Sequence, residues 1–383
     1  MRFPLVVNTS LSWYLMKRAL KGDKYFPMVM MLEPLHACNL TCTGCGRIRE
    51  YKDTINQYVS VEDCLKAVDT SGTPIVSICG GEPLIYPHIA ELVDELLKRK
   101  KIVYVATNAM FLEKKLKEFK PSSRFFFAVH LDGLEETHDM LVERKGVFKS
   151  AVQGIKAAKK AGFQVTINTT IFKETDMDEI ELLMNYLDTL GIDGYMITPA
   201  GAYPSVSNQE IFLITKDEIR EKFKNVEKLM KKHRLHNTPI FLDFLQGKRE
   251  LSCAAWGVPT YNPKGWKGPC YLMTDGHYNS YQDLIAKTDW NKYGPGKDPR
   301  CENCMVHVGY DPVAFLALKG NFLTRILDGF KMFIWQVFAP NRESKIKENA
   351  PVPVPPRPTA QPHPSGPVVQ LENFFVMAGT HKN

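Results

Sequence analysis

No run in this sequence of 383 residues approaches the roughly 18 to 20 uncharged apolar residues that a membrane-spanning helix needs. Lys17 and Arg18 interrupt the first stretch that comes near, and Arg325, Asp328 and Lys331 interrupt the last. An excess of one charge is also lacking, because 49 basic against 42 acidic residues leave a formal +7. So small and scattered an excess argues against nucleic acid, which asks for a dense basic face. An anionic cofactor or an anionic membrane surface remains compatible with it. No cleavable signal sequence is expected, and with nine cysteines this leads us to expect a reducing, cytoplasmic setting. There, unpaired thiols serve as metal ligands or core residues instead of disulfides. What is present, 44% hydrophobic and 24% charged residues, reads as globular.

From about residue 26, short apolar β-branched runs alternate with longer helical patterns, the rhythm of parallel βα units. Strands are expected at 28–34, 74–79, 102–107, 125–131, 164–172 and 193–198, and helices at 61–68, 89–98, 148–161 and 177–190. In such architectures chemistry gathers at the carboxyl ends of the strands. Polar and glycine-rich residues follow the runs there: a cysteine loop after the first, Gly80-Gly81-Glu82-Pro83 after the second, Thr107-Asn108 at the third, and His130 with Asp132-Gly133 at the fourth. Beyond about residue 246 the alternation stops. Residues 246–312 are expected to form a small cysteine-bearing module. Residues 1–25 and 313–340 look amphipathic, and eight prolines between Pro351 and Pro367 predict an extended, disordered tail over 341–383.

Cys38-Asn39-Leu40-Thr41-Cys42-Thr43-Gly44-Cys45 places three thiolates within eight residues. A structural zinc site wants four protein ligands, whereas a 4Fe-4S cube held by three cysteines keeps one iron open to an exogenous ligand. The alternatives are a zinc site borrowing His36 and a chance grouping of thiols.

C-x3-C-x2-C after the first strand of a βα series, followed by Gly80-Gly81-Glu82, resembles the radical S-adenosylmethionine superfamily over residues 28 to about 200. The resemblance implies a partial (βα)6 barrel. It implies a 4Fe-4S cluster on Cys38, Cys42 and Cys45 whose open iron chelates S-adenosylmethionine, and an external electron donor such as flavodoxin or ferredoxin. Gly80, Gly81 and Glu82 would contact the methionine amino group; Thr107, Asn108, His130 and Asp132 would be further cofactor contacts. One departure is Gly44, where the superfamily usually has an aromatic residue near the adenine, so adenine recognition is expected from elsewhere.

Up to about residue 310 the chain also looks like the adenosylhopane synthases of hopanoid biosynthesis. The strings carrying this are Met31-Leu32-Glu33-Pro34-Leu35, Ile78-Cys79-Gly80-Gly81-Glu82-Pro83-Leu84-Ile85, Thr107-Asn108-Ala109, His130-Leu131-Asp132-Gly133, Phe241-Leu242-Asp243-Phe244-Leu245 and Cys301-x2-Cys304-Met305-Val306-His307. That resemblance implies addition of the adenosyl C5' to the terminal alkene of hopene. The product radical then needs a hydrogen source. Relatives carry cysteine where this chain has Ala106, which leaves Cys79 as the candidate donor, its alternative being a small core hydrophobe. Hopene resides in bilayers, so contact with a membrane surface is expected. Phe322, Leu323, Ile326, Leu327, Phe330, Phe333, Ile334 and Val337, with Arg325 and Lys331 between them, have the spacing of an interfacial helix; Leu11, Trp13, Tyr14, Leu15 and Met16 beside Lys17, Arg18 and Lys21 are similar. Packing of both segments on the core is the alternative.

Cys253, Cys270, Cys301 and Cys304 supply four further thiolates, enough for an auxiliary 4Fe-4S cluster or a zinc ion, or else four reduced core thiols. The rival functions are another radical enzyme with an auxiliary cluster, such as a peptide-modifying one, and a non-catalytic iron-sulfur electron carrier or redox sensor.

Overall fold

Six strands arise where the alternation predicts them: β1 (Val29–Leu32), β2 (Ile75–Ile78), β3 (Ile102–Thr107), β4 (Phe125–His130), β5 (Gln164–Ile171) and β6 (Gly194–Pro199). All neighbouring pairs are parallel and follow sequence order, the arrangement of a partial βα barrel. The computed structural model describes residues 1–354 apart from 208, 213–214, 315–321, 341–345 and 348.

Each strand is two-sided, because successive side chains point to opposite faces. On β3, Val103 and Val105 are buried under the helices, while Tyr104 and Ala106 face the other way and are half-buried. The covering helices Val61–Ser71, Ile89–Lys98, Val147–Lys160 and Met177–Asp188 bury Val68, Leu92, Leu96, Ile155, Leu183 and Leu187 against Val76, Val103, Phe127 and Ile167. Each such side chain contributes roughly 1.5–3 kcal/mol when withdrawn from water. The helix ends are legible as well. Ser60 accepts from the Asp63 amide at 3.0 Å, and Gly72 closes the same helix at φ +68°, a conformation that costs a side chain-bearing residue energy.

The region after residue 246, expected as a module of its own, continues the same sheet. β7 (Thr260–Asn262) pairs in parallel with β1, and β8 (Gly265–Pro269) and β9 (Thr274–Tyr278) follow antiparallel, giving nine strands in the order β6-β5-β4-β3-β2-β1-β7-β8-β9. The sequence signal was weak because these strands are three to five residues long and carry Gly, Pro and Trp instead of a β-branched run.

The amino-terminal helix, Leu5–Lys21, closes the barrel at the amino ends of the strands: Val7 packs with Ile102 and Phe126, and Leu11, Tyr14 and Leu15 reach Phe26, Met28 and Trp256. Its other face leaves Trp13, Met16 and Leu20 exposed.

The carboxyl-terminal helix, Phe322–Val337, is turned inside out. Its inward face is polar: Asp328 takes a two-pronged bond from Arg249 at 2.6 and 3.0 Å, Lys331 binds Asp243 at 2.6 and 2.7 Å, and Trp335 lies under Arg2. Leu323, Ile326, Leu327, Phe330, Phe333 and Ile334 point outward. Lys331, expected among the outward apolar residues, thus anchors the helix to the body. Of the tail expected to be disordered, 355–383 lies outside the described residues.

Candidate functional site

The loop after β1 carries Cys38, Cys42 and Cys45, all half-buried. Its backbone is pinned by Arg49, whose guanidinium donates to the carbonyls of Cys42 and Cys45 at 3.0 and 2.6 Å. Burial pushes the Cys42 thiol well up, and the adjoining Cys45 and Cys38 sulfurs push it further. The three thiols therefore share one desolvated place, where a cationic iron centre would relieve their mutual repulsion. This donor set fits a cube with three protein ligands. His36, the zinc alternative's fourth ligand, is turned away: it stacks on Tyr51 at 4.0 Å and meets Thr54 at 3.0 Å.

Gly80 and Gly81 follow β2 and lie directly against this loop. A Cβ at Gly81 would overlap the Ala37 carbonyl, and one at Gly80, where φ is +105°, would overlap that of Leu35. The two glycines are thus the cradle that lets the second loop close on the first. Glu82 is buried beside them and accepts from Thr107 Oγ1 at 2.6 Å, Leu84 N at 2.9 Å and Asn108 N at 2.8 Å. Burial lifts its carboxyl to about 7 despite those donors. Asn108 then ties β3 to the cysteine loop through Asn39 at 2.8 Å.

On β4, His130 Nε2 sits 2.7 Å from Asp132, whose other oxygen accepts from Thr170 N at 2.7 Å. Burial alone would lower the His130 pKa, but the Asp132 carboxylate overrides it and the net shift is upward. Asp132 also lies close enough to raise the Cys42 thiol. All the residues expected as cofactor contacts, from Gly80 to Asp132, therefore share the carboxyl end of the barrel with the cysteine loop.

Ala106 pairs across the sheet with Ala128, and both are half-buried on the face opposite the helices, where His130 follows on β4. Cys79 is buried against Tyr271, Glu33 and Arg47, and burial above all holds its thiol in the neutral form that can donate a hydrogen atom.

Sequence reading missed a buried network. Glu33 and Arg47 form an ion pair at 2.7 Å, and Arg47 donates to the Tyr271 carbonyl at 2.7 Å with its guanidinium 4.0 Å from that ring's centre. Burial would raise the Glu33 carboxyl, yet Arg47, His36 and Lys267 hold it at about 2. The signal available was Glu33 within an otherwise apolar strand run. Sequence reading also left the aromatic partner of Gly44 unassigned. A Cβ at Gly44 would stand 2.8 Å from Cε1 of Phe172, so a ring from the end of β5 occupies the place beside the third cysteine.

Residues 32–187 match the model of the radical SAM superfamily, and residues 195–326 match that of a domain of unknown function, DUF3463. The antilisterial bacteriocin subtilosin biosynthesis protein AlbA of Bacillus subtilis is 27% identical over 308 residues, covering 74% of this chain and 66% of that protein. GTP 3',8-cyclase of Thermodesulfovibrio yellowstonii is 29% identical over 196 residues, 49% of this chain and 61% of the enzyme. The chain thus spans less than two thirds of these relatives. Among solved structures, Streptococcus suis SuiB, crystallised with S-adenosylmethionine and with its precursor peptide SuiA, superimposes with a TM-score of 0.55 at 15% identity, covering 78% of this chain and 74% of SuiB. These relatives are named for peptide and nucleotide chemistry and not for hopanoids, so they support the radical core and not the expected substrate. The match over residues 32–187 makes that part of the chain similar to the radical SAM superfamily, whose cofactors are a 4Fe-4S cluster and S-adenosylmethionine.

Proposed function

We propose that the chain is an adenosyltransferase that joins the adenosyl C5' to the terminal alkene of hopene, forming adenosylhopane at a membrane surface. The observation that carries the choice of a lipid is the inside-out helix Phe322–Val337, which turns Asp328 and Lys331 onto the protein and offers six large apolar side chains to its surroundings. Exposed apolar faces of this kind mark interaction surfaces. The hopanoid-like sequence strings supply the identity of the lipid.

In this reading Cys38, Cys42 and Cys45 hold the cluster, and Gly80, Gly81 and Glu82 with Thr107, Asn108, His130 and Asp132 frame its ligand. S-adenosylmethionine bound there supplies a 5'-deoxyadenosyl radical. Glu82 joins the turn that follows Gly81 to the start of the Asn108 loop by accepting from Leu84 N and Asn108 N. The His130–Asp132 pair holds a proton close to the cysteine loop. Ala106 and Ala128 leave space for a bulky hydrocarbon. Saturation of the product needs one hydrogen atom, for which the Cys79 thiol, kept neutral by burial, is the donor; an external flavodoxin or ferredoxin supplies one electron for cleavage of S-adenosylmethionine and a second which, with a proton from solvent, returns the Cys79 thiyl radical to the thiol.

A second reading, modification of a peptide, is favoured by the similarity to AlbA and by the fold shared with SuiB. A mere electron carrier would have no use for the Gly80–Glu82 cradle. Anaerobic reconstitution with reductant, S-adenosylmethionine and hopene, analysed by mass spectrometry, separates these readings. A hopane-adenosine adduct that disappears in Cys42→Ala is the expected result. Free 5'-deoxyadenosine without adduct would remove hopene and favour hydrogen abstraction from a peptide.

A further inference from the structure

We propose that Glu143 is a positioning residue for the cysteine loop: its carboxylate holds the two hydroxyls that flank Cys42 and so keeps the loop in its metal-binding shape. The inference rests on the reading that Cys38, Cys42 and Cys45 carry the cluster.

The first observation is a helix end that breaks the local rule. The helices Val61–Ser71, Val147–Lys160 and Pro239–Leu245 are each followed by a glycine in the left-handed region, Gly72 at φ +68°, Gly162 at +83° and Gly247 at +70°. Glycine suits such a position because it adopts that backbone without steric cost. The helix Glu135–Leu141 closes in the same way, with Glu143 N donating to the Met140 carbonyl at 3.1 Å and Arg144 N reaching back to that of Asp139 at 3.0 Å. Yet the left-handed position, at φ +57°, holds Glu143. Charge opposes it as well, since a carboxylate at the carboxyl end of a helix meets the negative end of the helix dipole. Among the described residues only Lys100 and Ala109 share a positive φ without being glycine. Lys100 lies in an exposed turn before β3, so the conformation alone does not single Glu143 out. What Glu143 holds does.

One Glu143 oxygen accepts from Thr43 Oγ1 at 3.0 Å and the other from Thr41 Oγ1 at 3.4 Å, on either side of Cys42. Neighbouring residues close on the same loop. The Leu141 carbonyl accepts from Thr43 N at 3.0 Å, Arg144 donates to the Asn39 carbonyl at 3.3 Å, and Val142 and Val147 pack on Leu40. A loop that must present three thiols to one centre is thus shaped by residues about a hundred positions further along the chain. Glu143 bonds to no cysteine in this arrangement; it acts through the residues on both sides of one, as groups behind a metal ligand do.

The test compares Glu143→Gly, Glu143→Gln and Thr43→Val with the native full chain, before and after anaerobic cluster loading. Amide hydrogen exchange over residues 39–45 and the rate of iron release to a chelator report on the loop; the urea midpoint reports on the fold. Glu143→Gly relaxes the helix end, so its midpoint should equal or exceed the native one. Its loop amides should nevertheless exchange, and its iron leave, at least about fivefold faster, the equivalent of one lost hydrogen bond. Thr43→Val removes the same contact from the other side and should act alike, and combining it with Glu143→Gly should add little. Glu143→Gln still accepts from hydroxyls and should keep most of the protection. Native rates in Glu143→Gly would overturn the assignment. So would a midpoint that falls with them, because the residue would then serve the helix and not the loop. Failure of the cluster reading looks different: the native chain would take up no iron, while exchange over residues 39–45 would still respond to Glu143→Gly.

Discussion

Gly81 is the residue with the least freedom at the site. Any side chain there meets the Ala37 carbonyl, which is backbone and cannot rotate away. Gly81→Ala is expected to destabilise the protein by about 1–3 kcal/mol, read as a lower urea midpoint, and to lower cluster content with it. Ala106 offers the opposite experiment. It faces the open side of β3, and Ala106→Cys places a thiol there in an ordinary size substitution. Under the adenosyltransferase reading the variant should convert more of the adduct to its saturated form than the native chain does. An unchanged product ratio would mean that Cys79 or solvent already completes the reaction. The contrast between these positions was legible only in part. The Gly-Gly-Glu string announces a tight loop, but which backbone it closes on is a matter of the fold.

At the scale of elements, the carboxyl-terminal helix shows how periodicity can be right and orientation wrong. The spacing of Leu323, Ile326, Leu327, Phe330, Phe333 and Ile334 marks one apolar stripe in the sequence. It does not say that the stripe faces away from the body. Buried Asp243 and Asp328 decide that, because each needs a cation and finds it across the helix interface in Lys331 and Arg249. Replacing Leu327 and Phe330 by Ser should leave thermal stability nearly unchanged, since both are exposed, while weakening binding to anionic vesicles by at least about tenfold in a flotation assay. Equal binding would remove the membrane from the proposed function.

Asp311 joins the segment after the last cysteine to the loop that caps the helix Pro239–Leu245, accepting from Thr238 Oγ1 at 2.7 Å, Thr238 N at 3.0 Å and Asn237 Nδ2 at 3.0 Å. Burial raises its carboxyl from 3.8 to about 6. A raised carboxyl favours the folded state while protonated, so its contribution is complete below 3.8 and is lost as pH rises through about 6. Asp311→Asn should flatten that part of the stability-pH curve, measured by urea unfolding across the window, at a cost of about 1 kcal/mol from a mismatched hydrogen bond. An unchanged slope would mean that the carboxyl ionises normally.

For the molecule as a whole, Arg47 is the joint. It neutralises Glu33 at the end of β1, stacks on Tyr271 and holds that residue's carbonyl, so the cysteine loop, the barrel and the carboxyl-terminal extension meet at one buried guanidinium. Arg47→Ala strands Glu33 in the interior and is expected to cost about 3 kcal/mol or more, visible as a lower melting temperature. Arg249→Ala, whose side chain is partly exposed, should cost less. If the two costs were equal, Glu33 would be drawing its compensation from Lys267 and Asn262 instead.

The sequence by itself determined the six-strand rhythm, most helix bounds to within a few residues, and the grouping of Cys38, Cys42 and Cys45. All of these are local: period, capping and spacing act between residues a few positions apart. Only the tertiary structure decided that β7 pairs with β1, that Phe172 rests on Gly44, that Lys331 points inward, and that four cysteines spread from 253 to 304 surround one cavity. These are meetings of residues tens to hundreds of positions apart. What sets them is which buried charge finds its partner and which backbone comes close enough to exclude a side chain, and no periodicity along the chain encodes that.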